Sequence, residues 1–381
     1  MSELRVVAIA RIVPIYRMEF IDLKTQQGRV RESIEKRIAT VLDHGQYIMG
    51  PEIPELEEAL CGFIGCRHAI GVSSGTDSLL MALMALEIGP GDEVITVPYT
   101  WISTAEVISL VGATPVFIDI ESETWNMDPK LLKGAITERT KAIMPVGIFG
   151  QTSNMTEINR IASESGDIPV IEDAAQSFGA THFEKRSGGL ARIGSTSFFP
   201  SKPLGGYGDG GAIFTDDDDL AERMRWIRVH GQSGRNHHPV VGINGRLDSI
   251  QAAVVLVKLE IFEEEIELRQ QVAAKYAARL DEGPLELPEV APGNTSVFAQ
   301  YTVLSDDREA MQNRLKSDNI PSVAYYSVPL HLQPVYSKLG YQSGDFPITE
   351  SVAAKGFSLP MSPYVLESDQ DRIAHALLTE V

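Results

Sequence analysis

An alternation limits the fold of this chain more than any other feature. From residue 68 to residue 215, short apolar runs give way repeatedly to helical patterns. Strands are expected at 68–72, 94–97, 115–119, 142–146, 169–173 and 212–215, with helices at 79–86, 104–111, 129–135 and 155–163. The runs are apolar throughout, which marks strands covered on both faces, and strands separated by helices pair in parallel. The expected fold class is α/β, with a large, mainly parallel mixed sheet. Ahead of it, helical patterns run to about residue 42 and over 54–63, separated by the turn-rich His44-Gly-Gln-Tyr-Ile-Met-Gly-Pro-Glu52. After it, a pattern over 248–280 has alanine and leucine on one face and glutamate on the other, which predicts one long helix. Beyond Pro284 proline and glycine increase and strand and helix mix, so a smaller C-terminal α/β domain is expected. The expected organisation is a poorly ordered extension at 1–17, a large ligand-binding domain at 18–255, and a small domain at 256–381 reached through the long helix.

Charge and cysteine content remove several classes of function. The net charge is −19, and no block of Lys and Arg stands out, so nucleic acid and anionic membranes are poor partners. No apolar run approaches the roughly 18–20 residues that span a bilayer. The apolar part of the first 17 residues is broken by Arg11, which argues against a secretory signal. Two cysteines, Cys61 and Cys66, match no metal spacing and fit a reducing compartment, hence a cytoplasmic protein with no metal site. The acids Asp216 to Asp219 stand where a helix begins and are expected to complement its dipole in solvent.

Chemistry concentrates in Ser195-Thr-Ser-Phe-Phe-Pro-Ser-Lys202-Pro-Leu-Gly-Gly-Tyr-Gly-Asp-Gly-Gly211. A lysine packed against a glycine-rich turn loses hydration, its pKa falls, and the free amine can form a Schiff base with an aldehyde. Two further candidates lie at strand ends, where α/β sheets bind ligands. Ser74-Gly75-Thr76 opens a helix, as an anion cup or as an ordinary N-cap. Asp173 ends an apolar strand, as a cap or as the partner of a cation. An anion cup, a strand-end aspartate and a lysine in a glycine loop are together the parts that hold pyridoxal 5′-phosphate (PLP): Lys202 for the aldehyde, Asp173 for the pyridinium nitrogen, and Gly75, Thr76 and Ser197 for the phosphate. Trp101, just after a strand end, is placed to stack on the ring or to pack in the core.

Three stretches carry a family resemblance: Glu172-Asp-Ala-Ala-Gln-Ser-Phe-Gly179, the run from Ser197 to Gly211, and Gly242-Ile-Asn-Gly-Arg-Leu-Asp248. From Met18 onward the chain resembles the DegT-type nucleotide-sugar aminotransferases, a branch of the fold-type I, aspartate-aminotransferase-like PLP enzymes. The resemblance implies that 18–255 is the PLP-binding domain and that the cofactor cycles through pyridoxamine 5′-phosphate. Lys202 would bind PLP and shuttle the proton, Asp173 would pair with the ring nitrogen, and Gln176 would bond the phenolic oxygen. Asn244 would reach the phosphate from the second subunit of a homodimer. Arg246 and Tyr326 lie on segments that contact the sugar nucleotide, with an inter-subunit ion pair the alternative for Arg246. Tyr325, His237 and His238 are further candidates for substrate contact. Phe20-Ile-Asp-Leu-Lys24, His44-Gly-Gln-Tyr47 and Lys258-Leu-Glu-Ile-Phe-Glu-Glu-Glu-Ile266 are similar to the branch that moves an amino group, from a donor such as L-glutamate, to UDP-2-acetamido-2-deoxy-3-oxo-glucuronate in lipopolysaccharide O-antigen synthesis. Alternatives are a dTDP-3-oxo or UDP-4-oxo sugar, or a regulatory protein of the same fold.

Overall fold

The computed structural model describes residues 18–378, so the extension expected at 1–17 lies outside the described residues. Strand and helix alternate through β1 (His68–Val72), α3 (Gly75–Ala85), β2 (Glu93–Thr96), α4 (Ser103–Leu110), β3 (Thr114–Phe117), α5 (Pro129–Ala135), β4 (Thr140–Ile143), α6 (Met155–Glu164) and β5 (Ile171–Asp173). A two-stranded hairpin, β6 (Thr181–His182) and β7 (Lys185–Arg186), precedes β8 (Ile193–Ser197) and β9 (Gly211–Thr215). Two helices, α1 (Leu23–His44) and α2 (Glu52–Ile64), lead into this array.

The sheet order is β3-β2-β4-β5-β8-β9-β1. Its two halves join at the end of β4, where Ile143 pairs with Val170, and just beyond it, where Val146 pairs with Asp173, both in parallel. The Asp173 N–H completes that seam by donating to the Pro145 carbonyl at 2.9 Å. Neighbours run parallel except at β9, which is antiparallel to both β8 and β1. The sheet is thus mixed and mainly parallel, as its sequence pattern predicts. Every residue of β9 is buried because both faces are covered. Ala212 and Phe214 pack with Leu56 and Leu60 of α2, while Ile213 packs with Met81 of α3 on the other side.

Local chemistry sets the helix starts. The acidic run opens α7 (Asp218–Arg228), where the Asp217 side chain accepts the Leu220 N–H at 3.0 Å and Asp218 and Asp219 fill the first turn. The single helix expected over 248–280 is two, α8 (Ser249–Glu260) and α9 (Phe262–Leu280), broken at Ile261 (φ −106°, ψ 1°). The two must bury different surfaces. The apolar residues of α8 pack beneath the sheet and against α1 and α2. Phe262, opening α9, turns onto the rings of Phe63 and Phe178, at 5.5 and 5.9 Å. Further along, Tyr276 and Leu280 enter the core of the C-terminal region.

That region pairs β10 (Tyr301–Leu304) with β11 (Gly356–Leu359) and packs them against α9, α10 (Arg308–Ser317) and α12 (Glu367–Leu378). It is tied to the large sheet by Asp119. This buried carboxylate accepts the Thr349 and Ile348 N–H groups, at 2.9 and 3.0 Å, in the first turn of α11 (Pro347–Lys355). The residue before that helix, Phe346, supplies no side-chain cap, so Asp119 does so from across the chain. Asp119→Ala should lower stability by about 3 kcal/mol, because buried N–H groups lose a charged acceptor. The urea midpoint measures this, and an unchanged midpoint would show that the tie carries no load. Among the described residues, no helix is long and apolar enough to cross a membrane.

Candidate active site

Several of the predicted site residues meet at the carboxyl ends of β1, β2, β5 and β8. Beyond β1, Ser74 is the N-cap of α3, its hydroxyl accepting the Asp77 N–H at 3.0 Å. The N–H groups that open a helix have no intrahelical acceptor, so Gly75 and Thr76 offer theirs outward. Gly75 lies against Ser197 at the end of β8, where an added methyl would come within 2.7 Å of the Ser197 Cβ. Ser78 pins the arrangement from the next turn, donating to the Gly75 carbonyl at 2.6 Å and bonding the Ser195 hydroxyl. The Thr76 and Ser103 hydroxyls stand 2.8 Å apart. A helix start and several hydroxyls thus meet at one place, an arrangement that suits an anion.

The cup gives a sharp test. Alanine is favoured over glycine in a helix by roughly 1 kcal/mol, whereas forcing a methyl into a packed site costs about 1–3 kcal/mol. With Ser197 so close, the second effect wins. Gly75→Ala should weaken retention of a phosphorylated ligand by about tenfold, the equivalent of 1.4 kcal/mol, and leave an unphosphorylated analogue unaffected. Equilibrium dialysis of the pair reads this, and equal loss for both ligands would remove the cup from the argument.

Asp173 is buried at the end of β5, 5 % exposed. Burial raises its carboxyl above the usual range, opposed by the Ala175 N–H at 3.1 Å, the Thr104 hydroxyl at 2.9 Å and the nearby charge of Lys202. Burial in turn lowers the Lys202 amine, against the pull of Asp173. Lysine and aspartate therefore share one poorly hydrated space. Gln176, one turn past Asp173, is buried, accepts the Phe149 N–H at 2.9 Å and donates to the Tyr326 hydroxyl at 3.1 Å. Burial raises the Tyr326 phenol well above its ordinary value. Trp101 is 57 % exposed, tilted 6.0 Å from the Tyr326 ring, so it belongs to the mouth of the site rather than to the core. The Tyr325 ring packs on Tyr326 and on Phe20.

Other predicted residues stand apart. Asn244 and Arg246 share a neighbouring cleft of about 570 Å³ with Ser73, Ser74 and Gly208. Asn244 is exposed, and the buried Nε of Arg246 has no hydrogen-bond partner among the described residues. His237 and His238 lie in an exposed loop and bond within it, to the Ser233 hydroxyl at 2.7 Å and the His230 carbonyl at 2.9 Å. Thr104 and Ser103 belong to the cluster, although the sequence pattern marks Thr104 only as a helix start and passes over Ser103. Their position after β2, at the ligand end of the sheet, is the signal that could have found them.

One ligand shape suits this arrangement. It carries a phosphate for the cup, a cationic nitrogen for Asp173 and an electrophilic carbon for Lys202. The fold and these groups suit an α/β enzyme that works with a phosphorylated, amine-reactive cofactor. The chain belongs to the DegT/DnrJ/EryC1/StrS aminotransferase family, which matches residues 29–378. It is 52 % identical over 362 residues to the UDP-2-acetamido-2-deoxy-3-oxo-D-glucuronate aminotransferase of Pseudomonas aeruginosa, covering 95 % of this chain and 99 % of that one. A crystal structure of a family aminotransferase from Brucella abortus superposes with a TM-score of 0.91 at 42 % identity, covering 94 % of this chain and 98 % of that one. NtdA from Bacillus subtilis, solved with its cofactor PMP (pyridoxamine 5′-phosphate) bound, gives 0.88 at 30 % identity, over 95 % and 85 % of the two chains.

Proposed function

We propose that this protein is a PLP-dependent aminotransferase that moves an amino group from L-glutamate to the 3-keto carbon of UDP-2-acetamido-2-deoxy-3-oxo-glucuronate. The observation that carries the reading is the meeting of Lys202, Asp173, Gln176 and the Gly75–Ser197 cup at one sheet edge. The 52 % identity to an enzyme named for that substrate supports the choice of sugar. When bound, PLP supplies an electron sink for negative charge at the substrate carbon. The protein's own residues do the rest. Gly75, Thr76 and Ser197 would hold the phosphate, and Asp173 would set its carboxylate against the ring nitrogen. Gln176, held by the Phe149 N–H and the Tyr326 hydroxyl, would bond the phenolic oxygen. The Lys202 Nζ, whose proton affinity burial lowers against the pull of Asp173, would take the α-proton from the amino donor. Trp101, Tyr325 and Tyr326 wall the mouth where the sugar enters, and Arg246, with a free Nε, suits the sugar's carboxylate.

The same reading takes the active unit to be a homodimer. Leu42, Tyr47, Ile48 and Met49 are exposed at the end of α1 and in the loop after it, and Ile48 lines the cleft of Asn244 and Arg246. A second copy would cover these side chains and bring Asn244, and the His237–His238 loop, to its neighbour's phosphate cup and sugar. The domain boundary is taken near 255/256, the location as cytoplasmic and the pathway as O-antigen synthesis. A half-reaction titration tests the function. Glutamate should bleach the visible absorption of the cofactor-loaded protein, and UDP-2-acetamido-2-deoxy-3-oxo-glucuronate should restore it. Recovery only with a 4-oxo sugar would overturn the substrate, and no bleaching with any amino acid would overturn the reaction.

A further inference from the structure

Helix α8 is almost wholly apolar between Ala252 and Val257, yet it ends that run with Lys258, 1 % exposed. A buried cation costs several kcal/mol unless its hydrogen bonds are used. Among the described residues no carboxylate pairs with Lys258 directly, although Glu265 attracts it from a distance. Its Nζ donates instead to the Gly205 carbonyl at 2.7 Å and sits 4.4 Å from the centre of the Tyr207 ring. Gln251 lies two helical turns earlier on the same face, and its Oε1 accepts the Tyr207 N–H at 2.8 Å. Both side chains grip the limb of the glycine-rich loop that follows Lys202.

The loop they hold is closed on itself. The Phe198 N–H bonds the Gly210 carbonyl at 2.8 Å, the Lys202 N–H the Phe199 carbonyl at 2.8 Å, and the Gly206 N–H the Phe198 carbonyl at 2.7 Å. A methyl at Gly205 would fall 2.5 Å from the Pro200 carbonyl oxygen, so the turn has no slack. We propose that Lys258, helped by Gln251, is a positioning residue for Lys202: from behind the glycine loop it fixes the turn that presents the Lys202 amine. This rests on Lys202 being the cofactor-binding lysine. Burial already pushes the Lys258 amine down to about 8, a cost the fold bears at a position where leucine or methionine would pack.

The test compares Lys258→Met and Gln251→Met with the wild type, in two measurements. In the cofactor-free protein, pyridoxal and borohydride are used to modify Lys202, and the rate is read by peptide mass spectrometry. In the loaded protein, kcat and KM are measured for both substrates. A slackened loop should slow Lys202 modification by about tenfold and lower kcat by about 10- to 100-fold, with KM nearly unchanged and the circular dichroism spectrum retained. Wild-type rates and kcat in Lys258→Met would overturn the proposal. If Lys258→Met does not fold, Gln251→Met decides by the same readings, a wild-type result overturning it and the kcat split supporting it. Modification of the wild type elsewhere than at Lys202 would overturn the reading of Lys202, and this proposal with it. Modification at Lys202 at equal rates in all three proteins would overturn this proposal alone.

Discussion

Lys202→Ala should reduce turnover by at least about 10,000-fold, because one amine both binds the cofactor and moves the proton. Borohydride should leave the cofactor covalently attached to the wild type and free in the variant. The fold should survive. The Lys202 backbone N–H bonds the Phe199 carbonyl whatever the side chain, and the loop is held from behind by Lys258 and Gln251. Removing the amine also removes a positive charge near Asp173, so the buried carboxyl should hold its proton to higher pH. The strongest competitor for the role is Lys258, which is more deeply buried. Its Nζ is committed to the Gly205 carbonyl and faces Tyr207, and the carboxylate that attracts it is Glu265 rather than Asp173. Turnover within tenfold of wild type, or reductive labelling that persists at Lys258, would move the chemistry off Lys202.

Much of this site is legible in the chain because its parts break local rules. Lys202 stands between two phenylalanines and a glycine run, and Asp173 ends an apolar strand, where a charge needs a reason. Thr104 stays hidden because a threonine in the first turn of a helix looks the same whether or not its hydroxyl meets a carboxylate. The reversal of β9 is likewise invisible, since a strand buried on both faces has the same composition in either direction. The break at Ile261 carries no proline or glycine. It follows from α8 and α9 serving different cores, which is a tertiary fact. Asp119 reads as the end of a strand, and its work as a cap depends on a helix more than 200 residues away in sequence, at Ile348 and Thr349. The cleft of Asn244 and Arg246 is more ambiguous still. Its residues are recognisable by resemblance, while one chain alone leaves Asn244 exposed and the Arg246 Nε unpartnered.

Charge and hydrogen bonding at Asp173 can be separated by two substitutions. In the protein alone, burial drives the carboxyl toward its neutral form, and the Ala175 N–H, the Thr104 hydroxyl and Lys202 oppose it. A cationic ring nitrogen would add a stronger partner, since opposite charges attract more in a poorly hydrated site than in water. Asp173→Asn keeps an acceptor for the Ala175 N–H and the local packing but removes the charge, whereas Asp173→Ala removes both. If the charge is what matters, the two variants should lose kcat nearly equally, on the order of 100- to 1,000-fold, with Asp173→Ala alone losing stability as well. The pH dependence follows from the same direction of shift. Because the folded carboxyl is raised, the charge that holds the cofactor is fully present at high pH. It is lost as pH falls through a value above the usual carboxylate range. Cofactor uptake by the wild type should therefore weaken on acidification earlier than an ordinary aspartate would allow, and Asp173→Asn should lack that component. An Asn variant with near-normal turnover, or a wild type and variant with the same acid profile, would mean that Asp173 acts through hydrogen bonds and that the ring nitrogen needs no anion here.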